Sequence, residues 1–232
     1  MTAKRAEATN SALMTLDAVM FDFDGVIVES NTIKTEAFRD LFANEREHVD
    51  AIVALHRRHA GVSRLVKFDM IYRAILRRPL AADERDELGA RFQRMVMEKV
   101  VACPMVPGAL ELLQSLAGCV PMAVVSGTPE GELREIVMRR GLEKFFFSIS
   151  GTPRTKPEIV SALLKDNGWR ADRVLMVGDA IEDLNGAQAN GVPFVGRVPK
   201  SDANPFPADI PAVEDLSGVA GAIERLARPV IH

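Results

Sequence analysis

Four short apolar runs punctuate the chain, and each stops at polar or flexible residues. Ala18–Phe21 runs into Asp22-Phe23-Asp24-Gly25 and Met122–Val125 into Ser126-Gly127-Thr128, while Val174–Val177 ends at Gly178-Asp179 and Val192–Val195 at Gly196. Runs this short, apolar on every side and closed by loop formers, predict buried strands of a parallel sheet. Between them the apolar positions take helical spacing. Leu110, Leu112, Leu113 and Leu116 follow Pro107-Gly108; Leu133, Ile136 and Val137 precede Gly141; Val160, Leu163 and Leu164 precede Gly168. Helices alternating with strands predict an α/β fold, a parallel sheet with helices on both faces.

From Ser30 to about Met105 the strand signal vanishes. Ile33, Ala37, Phe38, Leu41 and Phe42 keep helical spacing, as do Leu65, Phe68, Tyr72, Ile75 and Leu76, and then Leu88, Phe92, Met95 and Val96. The pattern predicts a helical domain at 30–105, inserted after the first strand. It leaves 15–29 and 106–232 as the α/β core and 1–14 as a flexible tail. The proline-rich stretch Ala203–Pro211 predicts a surface loop before a last helix near Leu216–Leu226.

Composition narrows the function classes. The 232 residues hold 47% hydrophobic side chains and 29 Lys+Arg against 32 Asp+Glu, a net charge of -3. That apolar fraction excludes a disordered chain, and no apolar run approaches the ~20 residues of a membrane span. One Trp, one Tyr and near-neutral charge argue against a nucleic-acid platform. Cys103 and Cys119 form neither a disulfide framework nor a metal pattern and read as reduced, packed thiols. His56-Arg57-Arg58-His59 reads as an exposed basic segment. No apolar leader precedes Asp17, so a cytoplasmic location is expected. The insertion carries 14 Lys+Arg against 11 Asp+Glu, so its own charge is positive.

The chemistry-bearing residues follow the strand ends. Asp22 and Asp24 stand two apart just past the first strand. Ser126-Gly127-Thr128 leads into Pro129, with Thr128 as a helix N-cap and Pro129 at the first helical position. Lys156-Pro157-Glu158 sets Lys156 at a helix start, where free N–H groups suit a phosphate. Asp179, Glu182 and Asp183 crowd after the third run. Each alone has an ordinary reading as a turn, a cap or a surface charge. Together, several acids and a lysine converge on one sheet edge, where like charges repel unless a cation joins them. The oxygen donors Asp22 and Asp179 suit Mg²⁺.

In this order the segments Val19–Val26, Val124–Thr128, Lys156-Pro157 and Val177–Asp183 resemble the four motifs of the haloacid dehalogenase-like hydrolase superfamily, across Asp17–Val195. The helical insertion resembles that family's C1-type cap. The resemblance implies a Rossmann-like core in which Asp22 attacks phosphorus to form an aspartyl-phosphate. It makes Asp24 the general acid and base, with a raised pKa. Ser126, Gly127 and Lys156 would hold the phosphoryl group, and Asp22, the Asp24 main-chain carbonyl and Asp179 would hold Mg²⁺. Asp183 would orient these ligands from behind, and Glu182 would be a surface acid or act through water. Dehalogenases and phosphonatases of similar fold lack an acid at the Asp24 position, which implies phosphate transfer from an ester oxygen.

Gly61-Val62-Ser63-Arg64 resembles the cap loop of β-phosphoglucomutases. This implies that Arg64 clamps a distal anion, aided by Lys67, while Lys34 looks into the cleft; a solvated helix face is the plain alternative for all three. The expected function is a Mg²⁺-dependent phosphatase for a small phosphomonoester of phosphoglycolate or sugar-phosphate type. A phosphosugar mutase is the alternative, although the mutase pattern has a histidine where this chain has Lys34. A catalytically silent binding protein of the same fold comes third. The expected partner is a small phosphorylated metabolite, with neither nucleic acid nor membrane, for a monomer or homodimer.

Overall fold

The computed structural model describes residues 16–226, so the tail expected at 1–14 lies outside them. β1 (Ala18–Phe21) is buried along its whole length, as its unbroken apolar run requires. It pairs in parallel with β2 (Met122–Pro129) on one side and β4 (Val174–Gly178) on the other. β3 (Ser148–Thr152) extends the first side, and β5 (Phe194–Arg197) with β6 (Ala212–Val213) extends the second. The strand order is β3-β2-β1-β4-β5-β6. The chain builds outward from β1 in one direction and then in the other, which opens a crevice beyond the carboxyl ends of β1 and β4.

Alternation along β1 divides the core. Ala18 and Met20 join Val125 and Met176 under α7 (Lys156–Asn167) and α8 (Ile181–Gln188). Val19 and Phe21 join Val124 and Val177 under α5 (Ala109–Leu116) and α6 (Glu130–Arg139). The C-terminal helix is α9 (Val219–Leu226), whose Val219, Ala222 and Ile223 reach the same layer.

The inserted helices are α1 (Asn31–Leu41), α2 (Val49–Arg58), α3 (Arg64–Ile71, continued by a π-helical turn over Tyr72–Leu76) and α4 (Ala82–Ala102). Phe38, Phe68 and Phe92 form their centre, with ring centroids 5.0 to 5.7 Å apart around Phe38. Each buried ring contributes about 1.5–3 kcal/mol of transfer free energy. The two chain crossings into this cap lie side by side. Val28 and Met105 form an antiparallel bridge, Glu29 N donates to Pro104 O (3.0 Å), and Val106 N donates to Ile27 O (3.0 Å).

Several expectations need correction. The apolar pattern announces neither α2, nor β3, whose serines and glycine hide a strand signal, nor α8 and the two-residue β6. The fourth run lies two residues early, because Val192 N still caps α8 through Ala187 O. His56 is buried on α2 rather than exposed, and Lys67 is buried rather than on a solvated face. Cys103 is packed, but Cys119 is exposed. Among the described residues no helix is long and apolar enough to cross a membrane.

Candidate active site

The register of the sheet gathers the site. Phe21 lies opposite Val124 on β2 and Val177 on β4, so the residues just beyond each partner meet at one edge. Asp22 continues this alignment, its N–H donating to Val177 O at 2.9 Å. A register irregularity between Val125 and Pro129 turns Ser126-Gly127-Thr128 inward. α6 then begins at Glu130 with Pro129 in the capping position, one residue later than expected. Thr128, released from capping, donates its hydroxyl to Asp24 Oδ2 at 2.9 Å. α7 begins at Lys156, held by a capping box between Thr155 and Glu158.

Asp22, Asp179 and Asp183 converge, with one carboxylate oxygen from each within 4.8 Å of the others. Asp183 is fully buried; it pairs with Lys156 and accepts from Ala180 N at 3.1 Å. Lys156 Nζ also lies 3.2 Å from Asp22 Oδ2. The three carboxyls are raised, Asp22 and Asp179 to about 7 and Asp183 to about 6. Loss of hydration is the largest cause for each, followed by Asp183 beside Asp22 and by Asp22 beside Asp179. Burial also opposes the charge on Lys156, but Asp183 and Asp22 outweigh it and hold the ammonium well above the ordinary lysine value.

Asp22 Oδ1 is buried with no hydrogen-bond partner among the described residues. A buried oxygen without a donor, facing two more carboxylates, is a costly arrangement that a divalent cation relieves. The donor set is all oxygen, as a hard cation requires, so these residues fit one.

Asp24 stands apart from that cluster. It pairs with Lys34 of α1 and accepts from Ser30 Oγ at 2.6 Å. Burial pulls its carboxyl upward, but Lys34 and the hydroxyls of Ser30 and Thr128 prevail, and its pKa lies below the ordinary value. The raised pKa expected from its role is therefore absent, because Lys34 supplies an ion pair that the sequence reading did not connect to it.

The remaining expected residues are near. Ser126 is buried and its Oγ accepts from Thr128 N at 3.2 Å. Gly127 has the Gly61 carbonyl of the cap against its Cα, leaving no room for a side chain. Arg64 reaches the same cavity but is already matched by Glu132 of α6, both buried. Its guanidinium also lies 5.1 Å from the Phe92 ring centroid. Glu182 is partly exposed on the rim. The cavity between cap and core holds about 1020 Å³ and is lined by Asp22, Asp24, Ser126, Asp179, Lys34 and Lys67 among others.

Two supporting residues gave no usable sequence signal. Asn31 donates to Asp179 Oδ2 at 2.6 Å. Arg197, buried at the end of β5, donates to Gly25 O (3.1 Å) and grips Glu29 with both terminal nitrogens. Gly25 itself has φ 72, and a Cβ there would collide with the Asp179 carboxylate and the Asn31 amide.

Residues 16–191 match the haloacid dehalogenase-like hydrolase family, and the chain belongs to it. It is 31% identical over 194 residues to a phosphoglycolate phosphatase of Rhodospirillum rubrum, covering 77% of this chain and 78% of that protein. It is 24% identical over 182 residues to a phosphorylated carbohydrates phosphatase of Thermotoga maritima, covering 76% and 82%. Its fold is shared with CbbY of Rhodobacter sphaeroides, solved in complex with phosphate: the TM-score is 0.69 at 17% identity, over 88% of this chain and 96% of that one.

Proposed function

We propose that the protein is a Mg²⁺-dependent phosphatase acting on a small phosphomonoester through an aspartyl-phosphate on Asp22. The observation that carries this reading is the pairing of two unlike carboxylates. Asp22 lies beside a lysine and two further acids with one oxygen unpartnered, while Asp24 sits two residues on in a separate network of donors. One is equipped to attack, the other to exchange protons. The phosphatase activities named for the Rhodospirillum and Thermotoga relatives point the same way.

Asp22, Asp179 and the main-chain carbonyl of Asp24 would hold the Mg²⁺, which when bound supplies positive charge against the phosphate oxygens. Asp183 holds Lys156 from behind and caps α8. In the first step an Asp22 oxygen bonds to phosphorus as the ester P–O bond breaks; Asp24, which takes up a proton from solvent once Lys34 turns part of its charge to the incoming phosphate, gives that proton to the departing oxygen. In the second, water loses a proton to Asp24 while its oxygen bonds to phosphorus, freeing Asp22 and releasing phosphate. Lys156 and Ser126 hold the phosphoryl oxygens in both steps. The cap loop at Gly61, closed over Gly127, keeps bulk water away from the intermediate.

The test is phosphate release from a panel of small phosphomonoesters with Mg²⁺, for the wild type and Asp22→Asn. The wild type is expected to turn over, and the variant to lose at least about 10³-fold in kcat with its circular dichroism unchanged. A wild type silent across the panel would favour a binding protein instead. Isomer interconversion of glucose 1-phosphate without phosphate release would favour a mutase.

A further inference from the structure

Arg197, the last residue of β5, is 5% exposed, and every nitrogen of its guanidinium is engaged. Nε donates to Glu214 O at 3.2 Å, just past β6. Nη1 donates to Gly25 O at 3.1 Å and to Glu29 Oε2 at 3.2 Å, and Nη2 donates to Glu29 Oε1 at 2.6 Å. The rigid fork of arginine lets one side chain serve a carboxylate and a main-chain carbonyl together, whereas a lysine would reach one at a time. Holding the sheet together does not require that choice. β5 already pairs with β4 and β6 through its main chain, and a buried apolar side chain would close the strand end without desolvating a charge.

What sets Arg197 apart is the turn that it holds. Gly25 follows Asp24 with φ 72, and a glycine peptide there rotates with little steric restraint. Gly25 N donates to Val28 O at 2.8 Å and Val28 N to Phe23 O at 3.2 Å, a bridge that uses the groups on either side of the Asp24 carbonyl and not that carbonyl itself. The carbonyl of Gly25 is buried and takes its hydrogen bond from Arg197. Val28 therefore sets the Asp24–Gly25 peptide from one side, and Arg197 sets the next peptide from the other. Glu29, in the same grip, belongs to the first crossing into the cap. Its N–H donates to Pro104 O of the returning crossing, and its neighbour Ser30 donates to the Asp24 carboxylate. One core side chain thus touches both the turn and the crossing.

We propose that Arg197 is a positioning residue: by clamping Gly25 O and Glu29 together, it fixes the turn that presents the Asp24 main-chain carbonyl to Mg²⁺ and ties that turn to the entry of the cap. This rests on the metal assignment of the phosphatase reading and extends it to a residue outside the carboxylate cluster. With the clamp released, the Gly25 peptide is free to turn and the Asp24 carbonyl moves with it. Asp22 and Asp179 stay in place, so the metal binds more weakly rather than not at all.

Calorimetric titration of Mg²⁺ into the full chain at pH 8, where the cluster is ionised, reads the site without turnover. Arg197→Met is expected to raise the Kd for Mg²⁺ by ~10-fold or more, and Glu29→Ala by ~3-fold or more. Glu132→Met is the comparison: it breaks another buried pair that shares no partner with the turn, so it should lower Tm while leaving the Mg²⁺ Kd within ~2-fold. In turnover, Arg197→Met should lose kcat at low Mg²⁺ and regain it as Mg²⁺ is raised, with KM for the ester within ~3-fold of the wild type. An Arg197→Met chain that loses Tm but binds Mg²⁺ as the wild type does would overturn the proposal and leave the phosphatase reading intact. If that variant does not fold, Glu29→Ala decides, because Glu29 is partly exposed and water replaces its carboxylate; an unchanged Kd there also overturns the proposal. A wild type that binds Mg²⁺ but hydrolyses no ester sinks the phosphatase reading alone, since the two Kd comparisons still judge Arg197. One that binds no Mg²⁺ sinks both.

Discussion

Asp24 shows how a single contact changes the chemistry of a side chain. Its carboxyl is buried, which alone would raise its pKa, yet Lys34, Ser30 and Thr128 hold it below the ordinary value. In that state it is an effective base only weakly, and a proton acid only when Lys34 shares its charge with an incoming phosphate. Lys34→Met removes the largest stabiliser of the ionised form, so the Asp24 pKa must rise. The kcat–pH limb belonging to Asp24 is expected to move toward higher pH by about one unit or more. A limb that stays put would mean Lys34 does not govern Asp24 during turnover. Gly25→Ala tests the backbone beside it. With φ 72 and the Asp179 carboxylate in the way, the substitution should cost about 1–3 kcal/mol in denaturant unfolding and also weaken the metal site.

The legibility of these residues follows from where their partners lie. Asp22, Asp24, Ser126, Lys156 and Asp179 each adjoin a strand end or helix start, and short local patterns announce such places. Asn31 contacts Asp179 across 148 positions, and Glu132 meets Arg64 across 68. Nothing local marks Glu132 as a partner, so Arg64 reads as free until the fold brings the two together. Lys67 reads as solvent-facing for the converse reason: a lone lysine within helical spacing is ordinarily on the wet side, and only packing against Phe38 and His56 reverses that.

Among elements, those with strong apolar patterning are the ones the sequence announces: β1, β2, β4, α1, and α3 through α7. α2 escapes because its buried positions, Ile52, Val53 and His56, include a polar ring that stacks on Phe38 at 4.2 Å. β3 escapes because its polar residues pair among themselves, Ser148 and Ser150 hydroxyls 3.3 Å apart. The link between α3 and α6 is the buried Arg64–Glu132 pair. Removing either partner strands a charge between cap and core, so Glu132→Met is expected to cost about 3–5 kcal/mol of stability. The double variant Arg64→Met/Glu132→Met should recover most of that loss. If the single and double variants unfold at the same denaturant concentration, the pair is not what joins these helices.

At the scale of the whole molecule, the carboxylate cluster ties stability to protons and metal together. A carboxyl raised on folding stabilises the fold below its unfolded value, near 3.8, and loses that contribution as pH rises through its folded value. For Asp22, Asp179 and Asp183 the loss begins above the unfolded value of 3.8 and is complete once pH has passed about 6 to 7. Mg²⁺ requires the ionised forms, so protons compete with it across the same window. The rise in Tm on adding Mg²⁺ should therefore be larger at pH 8 than at pH 6, by about 3 °C or more. Comparing samples with and without metal at each pH cancels groups such as His56, which titrate alike in both. A metal-induced shift independent of pH would mean that the cluster is not the site.

The bridge between Val28 and Met105 has an evolutionary consequence. The chain leaves the sheet and returns to it through neighbouring positions, so the layered core is interrupted at one seam between β1 and β2, and that seam is stitched by main-chain hydrogen bonds that no particular side chain dictates. Residues that choose the substrate can thus be rewritten between residues 30 and 105 without disturbing the register that aligns Asp22 with Asp179. Innovation in what is bound and constancy in what is done to it are separated along the chain. Ser30, Asn31, Lys34 and Arg64, which reach Asp24, Asp179 and Glu132, are places where a new cap would have to honour the old core.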